Sequence, residues 1–262
     1  MIFGRKKAKR LSDRDYSKKL IGADTPFAIT EAFKMLRTNL LYSAEGEKCP
    51  VFGITSAYAH AGKSIIIANI AVSFAQLEKR VLIVDSDMRC PVMHKLFKMK
   101  GENGMSELLA GLGGDTYEDF IIHSEEHGVD IITSGRIPPN PSELLSSAKM
   151  RKFLADMRER YDFIFLDMPP ICEVTDAGAT ADCITGYIFT VRSGITNSRD
   201  VDAALEQLRR MNANVLGIVL NDVDPKSGSY GKKKYGKYSK YGYYRSSYEE
   251  ESRRSLRDED GQ

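Results

Sequence analysis

The segment from Ser56 to Ser64 combines residue types that bind the phosphates of a nucleotide. It reads SAYAHAGKS and lies between an apolar run that predicts a strand and a stretch that predicts a helix. A loop in that position presents backbone N–H groups at a helix N-terminus to anionic oxygens. Lys63 would reach the β- and γ-phosphates of ATP, and the Ser64 hydroxyl would hold Mg²⁺. We predict a Walker A loop, the alternative being a chance Gly-Lys-Ser tripeptide.

This loop has Ala57 and His60 at positions where glycine is common. A histidine there would cost about 1 kcal/mol if its φ must be positive, although histidine tolerates that conformation better than most residues. The residues predicted to bind ATP in the loop are Ala57, Tyr58, Ala59, His60, Ala61, Gly62, Lys63, Ser64 and Ile65.

Three aspartates follow two further apolar runs. Asp85 ends VLIVD and is followed by Asp87, while Asp167 ends FIFLD. In a doubly wound sheet the carboxyl ends of the strands line the ligand crevice, and carboxylate oxygens suit Mg²⁺. Any one of these acids alone is more typical of a helix N-cap or a turn. Three of them beside a Walker A loop indicate a nucleotide site.

The predicted roles of these acids differ. Asp87 and Asp167, with Ser64, would bind or orient Mg²⁺, with Asp167 as the Walker B acid. Asp85 would accept a proton from an attacking hydroxyl, because phosphoryl transfer needs little more than positioning, one base and charge neutralisation. Arg89 would either stabilise the transferred charge or pair with an acid, and both alternatives stay open.

Apolar runs alternate with helical patterns along the chain, which predicts an α/β fold with a doubly wound, mostly parallel sheet. The predicted strands are 51–56, 81–85, 129–133, 162–167, 187–192 and 215–220. The predicted helices are 28–43, Ser64–Lys79, Glu143–Arg160, roughly Thr175–Asp182, and Ser198–Met211. We predict a flexible basic N-terminus at 1–27, a P-loop domain at 28–225 and a disordered Tyr-rich tail at 226–262.

Composition restricts the class of protein. The 262 residues carry 38 Lys+Arg and 36 Asp+Glu, so a net charge of +2 does not favour a nucleic-acid partner. There is no apolar run long enough to cross a membrane and no signal peptide, so we expect a cytoplasmic protein. The four cysteines fit a reducing compartment. His123 and His127 have no metal-ligand partners at suitable spacing and are expected on a polar helix surface.

Tyrosines are concentrated near the C-terminus, within a segment that has no aliphatic residues and many Lys, Gly and Ser. Such a tail could bind RNA by stacking, or its tyrosines could enter another active site and be phosphorylated. We predict phosphorylation because the rest of the chain has no RNA-binding motif. The predicted acceptors are Tyr230, Tyr235, Tyr238, Tyr241, Tyr243, Tyr244 and Tyr248.

Taken together, these motifs resemble the bacterial tyrosine kinases of capsule and exopolysaccharide gene clusters. The resemblance rests on AYAHAGKS (57–64), DSDMRCP (85–91), FIFLDMPP (163–170), SGRIPPNPSELLSS (134–147) and the Tyr cluster. It extends from about residue 28 to 248. The second motif and the Tyr cluster are its most specific parts.

The resemblance implies a deviant-Walker P-loop fold and transfer of the ATP γ-phosphate to tail tyrosines and to other proteins. It further implies a ring of copies, joined through the helix Glu31–Arg37, in which the tail of one copy enters its neighbour's site. A short cytoplasmic member would be activated, and recruited to the inner face of the plasma membrane, by a membrane-embedded polysaccharide chain-length regulator. A cognate phosphatase is implied as well. In related folds a strand-end asparagine contacts adenine, so Asn221 would do so or be a turn residue.

Some residues depart from the family pattern. Lys34 replaces the middle arginine of the subunit contact and loses its bidentate fork. Ala59 and His60 replace Pro-Gly, and Met168 replaces Thr or Ser. Two alternatives therefore stay open: a catalytically weak ATP-binding scaffold, and a positioning ATPase of the plasmid-partition or division-site type. Tyr58 counts against the positioning ATPase, because such ATPases have a lysine at that position.

Overall fold

The computed structural model describes residues 19–174 and 176–223, which form one seven-stranded sheet with helices on both faces. The strands are β1 (Val51–Ser56), β2 (Val81–Asp85), β3 (Ile122–Ser124), β4 (Val129–Ile132), β5 (Phe163–Asp167), β6 (Gly186–Arg192) and β7 (Val215–Asn221). The helices are α1 (Phe27–Ser43), α2 (Lys63–Ala75), α3 (Met93–Leu96), α4 (Met105–Ala110), α5 (Pro141–Leu145), α6 (Ala148–Arg158) and α7 (Ser198–Arg210).

The strand order is β3-β4-β2-β5-β1-β6-β7, and every pairing except β3 with β4 is parallel. The predicted fold class is confirmed. The central strands are buried on both faces, which explains why they are continuous apolar runs. One core lies between these strands and α1, α2 and α3, and a second lies beneath α4, α5, α6 and α7.

The sheet register places the predicted carboxylates side by side. Asp85 at the end of β2 pairs directly with Asp167 at the end of β5, and Asp167 also pairs with Ile54 on β1. Neighbouring strands lie about 4.8 Å apart, so the fold itself forces two acids together at the carboxyl edge of the sheet. The phosphate loop leaves β1 at the same edge.

Several predicted elements differ from the structure. The helix predicted over Glu143–Arg160 is two helices, because the Ser147 hydroxyl accepts a hydrogen bond from Met150 N (3.2 Å) and starts α6 anew. Helix α2 ends at Ala75 rather than Lys79, since Glu78 adopts a left-handed φ of 59°. The helix predicted near Thr175–Asp182 is a 3-10 turn at Asp176–Thr180. The short elements β3, α3 and α4 were not predicted.

The prediction for the histidines is wrong about their surroundings. His123 lies on β3, where its Nδ1 pairs with Asp130 Oδ1 at 2.6 Å, and His127 lies in the following turn with its ring edge-on to Phe97. Short antiparallel pairing overrides the weak helical pattern of this segment. No cluster of three metal-ligating side chains of the His, Cys, Asp or Glu type occurs among residues 19–174 and 176–223.

Packing begins before the predicted domain boundary at residue 28. Leu20 and Ile21 are buried, and Ile21 N donates to Asn69 Oδ1 of α2 (2.6 Å), whose amide donates back to the Lys19 carbonyl (2.9 Å). The predicted tail and its seven tyrosines lie outside the described residues. The structure contains no helix, within the segments it describes, that is long and apolar enough to span a membrane.

Candidate active site

The phosphate loop joins β1 to α2, as the sequence predicts. Gly62 precedes α2 with a φ of 94°, and an added Cβ there would lie 2.2 Å from Asn221 Nδ2, so only glycine fits. His60 has a φ of 63°, so the conformation that costs about 1 kcal/mol for histidine is the one it adopts. Lys63 is buried in the first turn of α2, and Tyr58 is exposed at the rim.

Three side chains contact this loop, and a fourth holds one of the three in place. Asn221 Nδ2 donates to the Ala61 carbonyl (2.9 Å), and Arg192 Nη1 donates to the His60 carbonyl (3.3 Å). Ala59 N donates to Glu173 Oε1 (2.9 Å). Asp222 accepts from Arg192 Nε (2.9 Å). Asn221 therefore contacts the phosphate loop itself, and its contact with adenine stays a prediction.

The two paired aspartates are fully buried. Asp85 Oδ2 accepts from the amides of Val92 (3.1 Å) and Met93 (3.0 Å) at the start of α3. Burial, and then the charge of Asp167, raise the pKa of Asp85 well above its usual range despite these amide bonds. Asp85 therefore caps a helix, which was the alternative predicted for a single strand-end aspartate. It is also a carboxylate with a raised pKa at the edge of the sheet that carries the phosphate loop.

Asp167 lies beside Lys63 and Ser64. Burial raises the pKa of Asp167 to about 7, although the charge of Lys63 and the nearby Ser64 hydroxyl lower it. Both oxygens of Asp167 and Oδ1 of Asp85 are buried without a hydrogen-bond partner of normal geometry in the described part of the chain. Buried carboxylate oxygens of this kind need a cation or a donor.

Those unpartnered oxygens fit Mg²⁺. They lie at the edge of the sheet where Ser64 and the N-terminus of α2 meet them, and hard oxygen donors are what Mg²⁺ prefers. Few protein ligands are needed, because Mg²⁺ usually keeps several waters and binds substrate phosphates. Asp87 is also buried there, with Oδ1 accepting from Cys90 N (3.0 Å).

Arg89 forms a fork with an acid that the sequence did not single out. Its Nε and Nη2 donate to the two oxygens of Asp176 (2.8 and 3.1 Å), and Ser142 of α5 donates to the same carboxylate. Burial of Asp176 would raise its pKa, but the hydrogen bonds from Arg89 and Ser142 outweigh burial and keep that pKa below its usual range. The geometry favours the pairing alternative for Arg89.

The residues that sequence reasoning missed are Asp176, Ser142, Glu173, Arg192 and Asp222. Asp176 and Glu173 follow the FIFLDMPP motif within ten residues, and their position after a strand end was an available signal. Arg192 ends β6, and Asp222 directly follows the predicted Asn221 at the end of β7. A position after or at a strand end was therefore the clue for all of these residues except Ser142, which lies on α5.

Comparisons with known proteins place this site in a family. Residues 55–185 match the AAA domain family. The putative tyrosine-protein kinase CapB of Staphylococcus aureus is 36% identical over 203 residues, covering 77% of this chain and 88% of the relative. The chain belongs to the bacterial tyrosine-protein kinases. The kinase domain of the Escherichia coli tyrosine kinase ETK agrees structurally with a TM-score of 0.75 at 32% identity, over 84% of this chain and 87% of that one.

The fold extends beyond this kinase family. The septum site-determining protein MinD of Pyrococcus horikoshii, solved with Mg-ADP, has a TM-score of 0.54 at 21% identity, covering 66% of this chain and 70% of that one. That likeness shows the fold alone. A P-loop fold of this kind binds a nucleotide with Mg²⁺ in general.

In this tyrosine kinase, the helix predicted to join subunits is α1. Lys34 pairs with Glu31 (2.8 Å) on its exposed face. Arg37 instead donates to the Ser73 carbonyl of α2 in its own chain, and burial lowers the pKa of Arg37. All three predicted contact side chains are therefore engaged within the subunit, Glu31 and Lys34 with each other and Arg37 with α2, and the ring stays a prediction.

Proposed function

We propose that this tyrosine kinase transfers the γ-phosphoryl group of ATP to tyrosines of its own C-terminal segment and of other proteins. The observation that carries the proposal is the buried Asp85–Asp167 pair, in which three oxygens are unpartnered within the described residues and Asp167 lies beside Lys63 and Ser64. Buried carboxylate oxygens without a partner cost stability, and a bound nucleotide with Mg²⁺ would offset that cost. The 36% identity to the putative tyrosine-protein kinase CapB favours phosphoryl transfer over nucleotide binding alone.

Each group has a chemical task in this proposal. Lys63 and the loop amides hold the β- and γ-phosphates. Ser64, Asp87 and Asp167 would hold Mg²⁺, which neutralises phosphate charge. Asp85 accepts the phenolic proton as the tyrosine oxygen attacks the γ-phosphorus and the bond to the β-phosphate oxygen breaks. Burial raises the pKa of Asp85, and a more basic carboxylate is a stronger proton acceptor once it is ionised.

The proposed partners follow from the family. Copies assemble through α1, and the tail tyrosines Tyr230–Tyr248 of one copy enter the site of another. A membrane-embedded polysaccharide chain-length regulator activates the kinase and recruits it to the inner face of the plasma membrane, and a phosphatase reverses the modification. Through this cycle the kinase regulates capsule or exopolysaccharide polymerisation and export.

The two other functions predicted as alternatives are less well supported. A positioning ATPase shares the fold, but the likeness to MinD is at 21% identity, whereas CapB is 36% identical. An ATP-binding scaffold would be favoured only by the altered phosphate loop. His60, however, adopts the positive φ that its position demands.

Phosphotyrosine mass spectrometry after incubation with Mg-ATP tests the proposal. The cytoplasmic segment of the regulator is added in a parallel sample. We expect phosphotyrosine in the tail of the native chain and none in Lys63→Met or Asp85→Asn. Circular dichroism and ATP binding of Asp85→Asn show that the fold and the nucleotide site persist. Full phosphorylation in either variant would overturn the assigned roles, and ATP binding without any phosphotyrosine, even with the regulator segment, would favour the scaffold.

A further inference from the structure

Two neighbouring carbonyls of the phosphate loop are bonded from the ends of β6 and β7. Arg192 Nη1 donates to the His60 carbonyl (3.3 Å), and Asn221 Nδ2 donates to the Ala61 carbonyl (2.9 Å). These are contacts between segments 132 and 160 residues apart in sequence. Their donors belong to the two strands that form one side of the sheet.

Because of the geometry of the peptide bond, these contacts also orient the loop N–H groups that would bind the phosphates. No peptide bond in the described residues is cis. In a trans peptide the carbonyl of one residue and the N–H of the next lie in one plane and point in opposite directions. A bond that fixes the His60 carbonyl outward therefore directs the Ala61 N–H inward. The bond to the Ala61 carbonyl likewise directs the Gly62 N–H inward, just ahead of α2.

Arg192 is itself held in place. Its Nε and Nη2 lie 2.9 Å from Asp222 Oδ2, and the two side chains are 38% and 59% exposed. An exposed ion pair of this kind contributes little to the stability of a fold. Its value here lies in orienting the guanidinium, so that the remaining N–H group meets the His60 carbonyl. His60 has a left-handed φ of 63°, a conformation a histidine readily leaves unless its neighbours fix it.

We propose that Arg192, oriented by Asp222, is a positioning residue that holds the amide group of Ala61 toward the triphosphate, next to the Gly62 amide that Asn221 directs. This inference rests on the proposed function, because it assumes that the loop binds the phosphates of ATP. Arg192 touches the loop and not the reacting atoms, so it acts through preorganisation. It compensates for the histidine that stands where a glycine is common.

The test measures binding of Mg-ATP and of inorganic tripolyphosphate to the full chain, by calorimetry or by competition with a fluorescent nucleotide. Tripolyphosphate has no base or ribose, so its affinity reports on the phosphate loop alone. We expect Arg192→Ala to bind both ligands about tenfold more weakly, the effect of losing one charge-assisted hydrogen bond. The unfolding temperature should stay close to that of the native chain.

Asp222→Asn separates positioning from simple charge attraction. The substitution removes a negative charge near the loop, so electrostatics alone predicts tighter binding of both anions. Loss of the charged partner of Arg192 predicts weaker binding, by about threefold. Asparagine tolerates the φ of 58° that Asp222 adopts, so the backbone is preserved.

A second ion pair gives the matched control. Arg151 and Asp182 are joined at 2.9 Å with side-chain exposures of 45% and 61%, and neither contacts the loop. Arg151→Ala and Asp182→Asn should leave both affinities unchanged. The inference is overturned if Asp222→Asn binds as tightly as the native chain or more tightly, if Arg192→Lys restores full affinity, or if Arg192→Ala loses ATP but not tripolyphosphate. Absence of ATP binding by the native chain would instead refute the proposed function.

Discussion

Individual residues in this site are kept in states that cost the fold stability. Asp85 and Asp167 are buried side by side, with three of their four oxygens unpartnered within the described residues. His60 has a positive φ. Buried, unpaired carboxylates cost several kcal/mol in general, so an arrangement of this kind persists only where the rest of the fold imposes it. The apolar strands β2 and β5 impose it here, because their register fixes both positions.

The raised pKa of Asp167 predicts a pH-dependent stability. An ordinary aspartate in the unfolded chain loses its proton near pH 4, whereas Asp167 in the native chain keeps it until about pH 7. Between these values the native state binds the extra proton, so this residue makes the nucleotide-free protein less stable as pH rises. Above about pH 7 the effect is constant.

Asp167→Asn should remove this dependence. Without Mg²⁺, we expect the variant to be more stable than the native chain by a small margin at pH 5 and by a clearly larger margin at pH 8, because most of the interval from pH 4 to pH 7 lies above pH 5. Differential scanning calorimetry at both pH values measures the difference. Asp182→Asn, an exposed aspartate whose pKa is lowered by Arg151, is the control. A gap that is equal at the two pH values, or larger at pH 5, would contradict the raised pKa.

At the scale of elements, long contacts tie separate segments to the site. Arg89 after β2 and Ser142 on α5, both at least partly exposed, meet at the buried carboxylate of Asp176 in the 3-10 turn. Because Asp176 is fully buried and Arg89 supplies its charge partner, these contacts fix the loop that carries Asp87. Arg89 was predicted either to stabilise the transferred charge or to pair with an acid. Substitution of its partner Asp176 can separate these two roles.

Asp176 touches no substrate in the proposed mechanism. If Arg89 acts by pairing with Asp176, then Asp176→Asn should lower tyrosine phosphorylation about as much as Arg89→Ala does. Arg89→Ala should also lower the free energy of unfolding by about 2 kcal/mol, since the buried Asp176 carboxylate loses its charge partner. Initial rates of phosphotyrosine formation and urea denaturation measure both effects. Arg80→Ala breaks an exposed fork with Asp162 and should change neither by much. Near-full activity of Asp176→Asn beside an inactive Arg89→Ala would show that Arg89 acts directly on the transferred group.

The elements also show what a sequence can predict. The strands β1, β2 and β5 were predicted closely because strands buried on both faces are unbroken apolar runs. Lys63, Ser64, Asp85, Asp87 and Asp167 were recognisable because each lies directly beside such a run. The contacts of Arg89 with Asp176 and of Arg192 with His60 join residues 87 and 132 positions apart. Only the strand order brings these together, and β3 is too short to leave a pattern.

At the scale of the whole molecule, the described residues contain a nucleotide site, whereas the predicted acceptor tyrosines all lie outside them. The chain leaves β7 at Asn221, whose side chain contacts the phosphate loop, so the segment that follows starts at the edge of the active site. In the proposed assembly, that segment of one copy enters the site of another copy.

Phosphorylation between copies should therefore be observed when two complementary variants are mixed. Lys63→Met retains the acceptors without activity. A chain with its seven tail tyrosines from Tyr230 to Tyr248 changed to Phe retains activity without those acceptors. We expect Lys63→Met to become phosphorylated in the mixture with Mg-ATP, and to stay unmodified alone. A size tag on one chain lets mass spectrometry assign each phosphotyrosine.

The dependence on concentration completes this test. Transfer between copies requires an encounter, so the rate per chain should rise with the total protein concentration until the assembly is saturated. A weaker contact through α1 should shift this rise to higher protein concentrations. Glu31→Lys replaces the 2.8 Å ion pair between Glu31 and Lys34 with two like charges. This variant should need a higher protein concentration for the same rate per chain, while its ATP binding stays unchanged. A rate per chain that is independent of concentration, with Lys63→Met unmodified in the mixture, would show that each kinase instead phosphorylates its own tail.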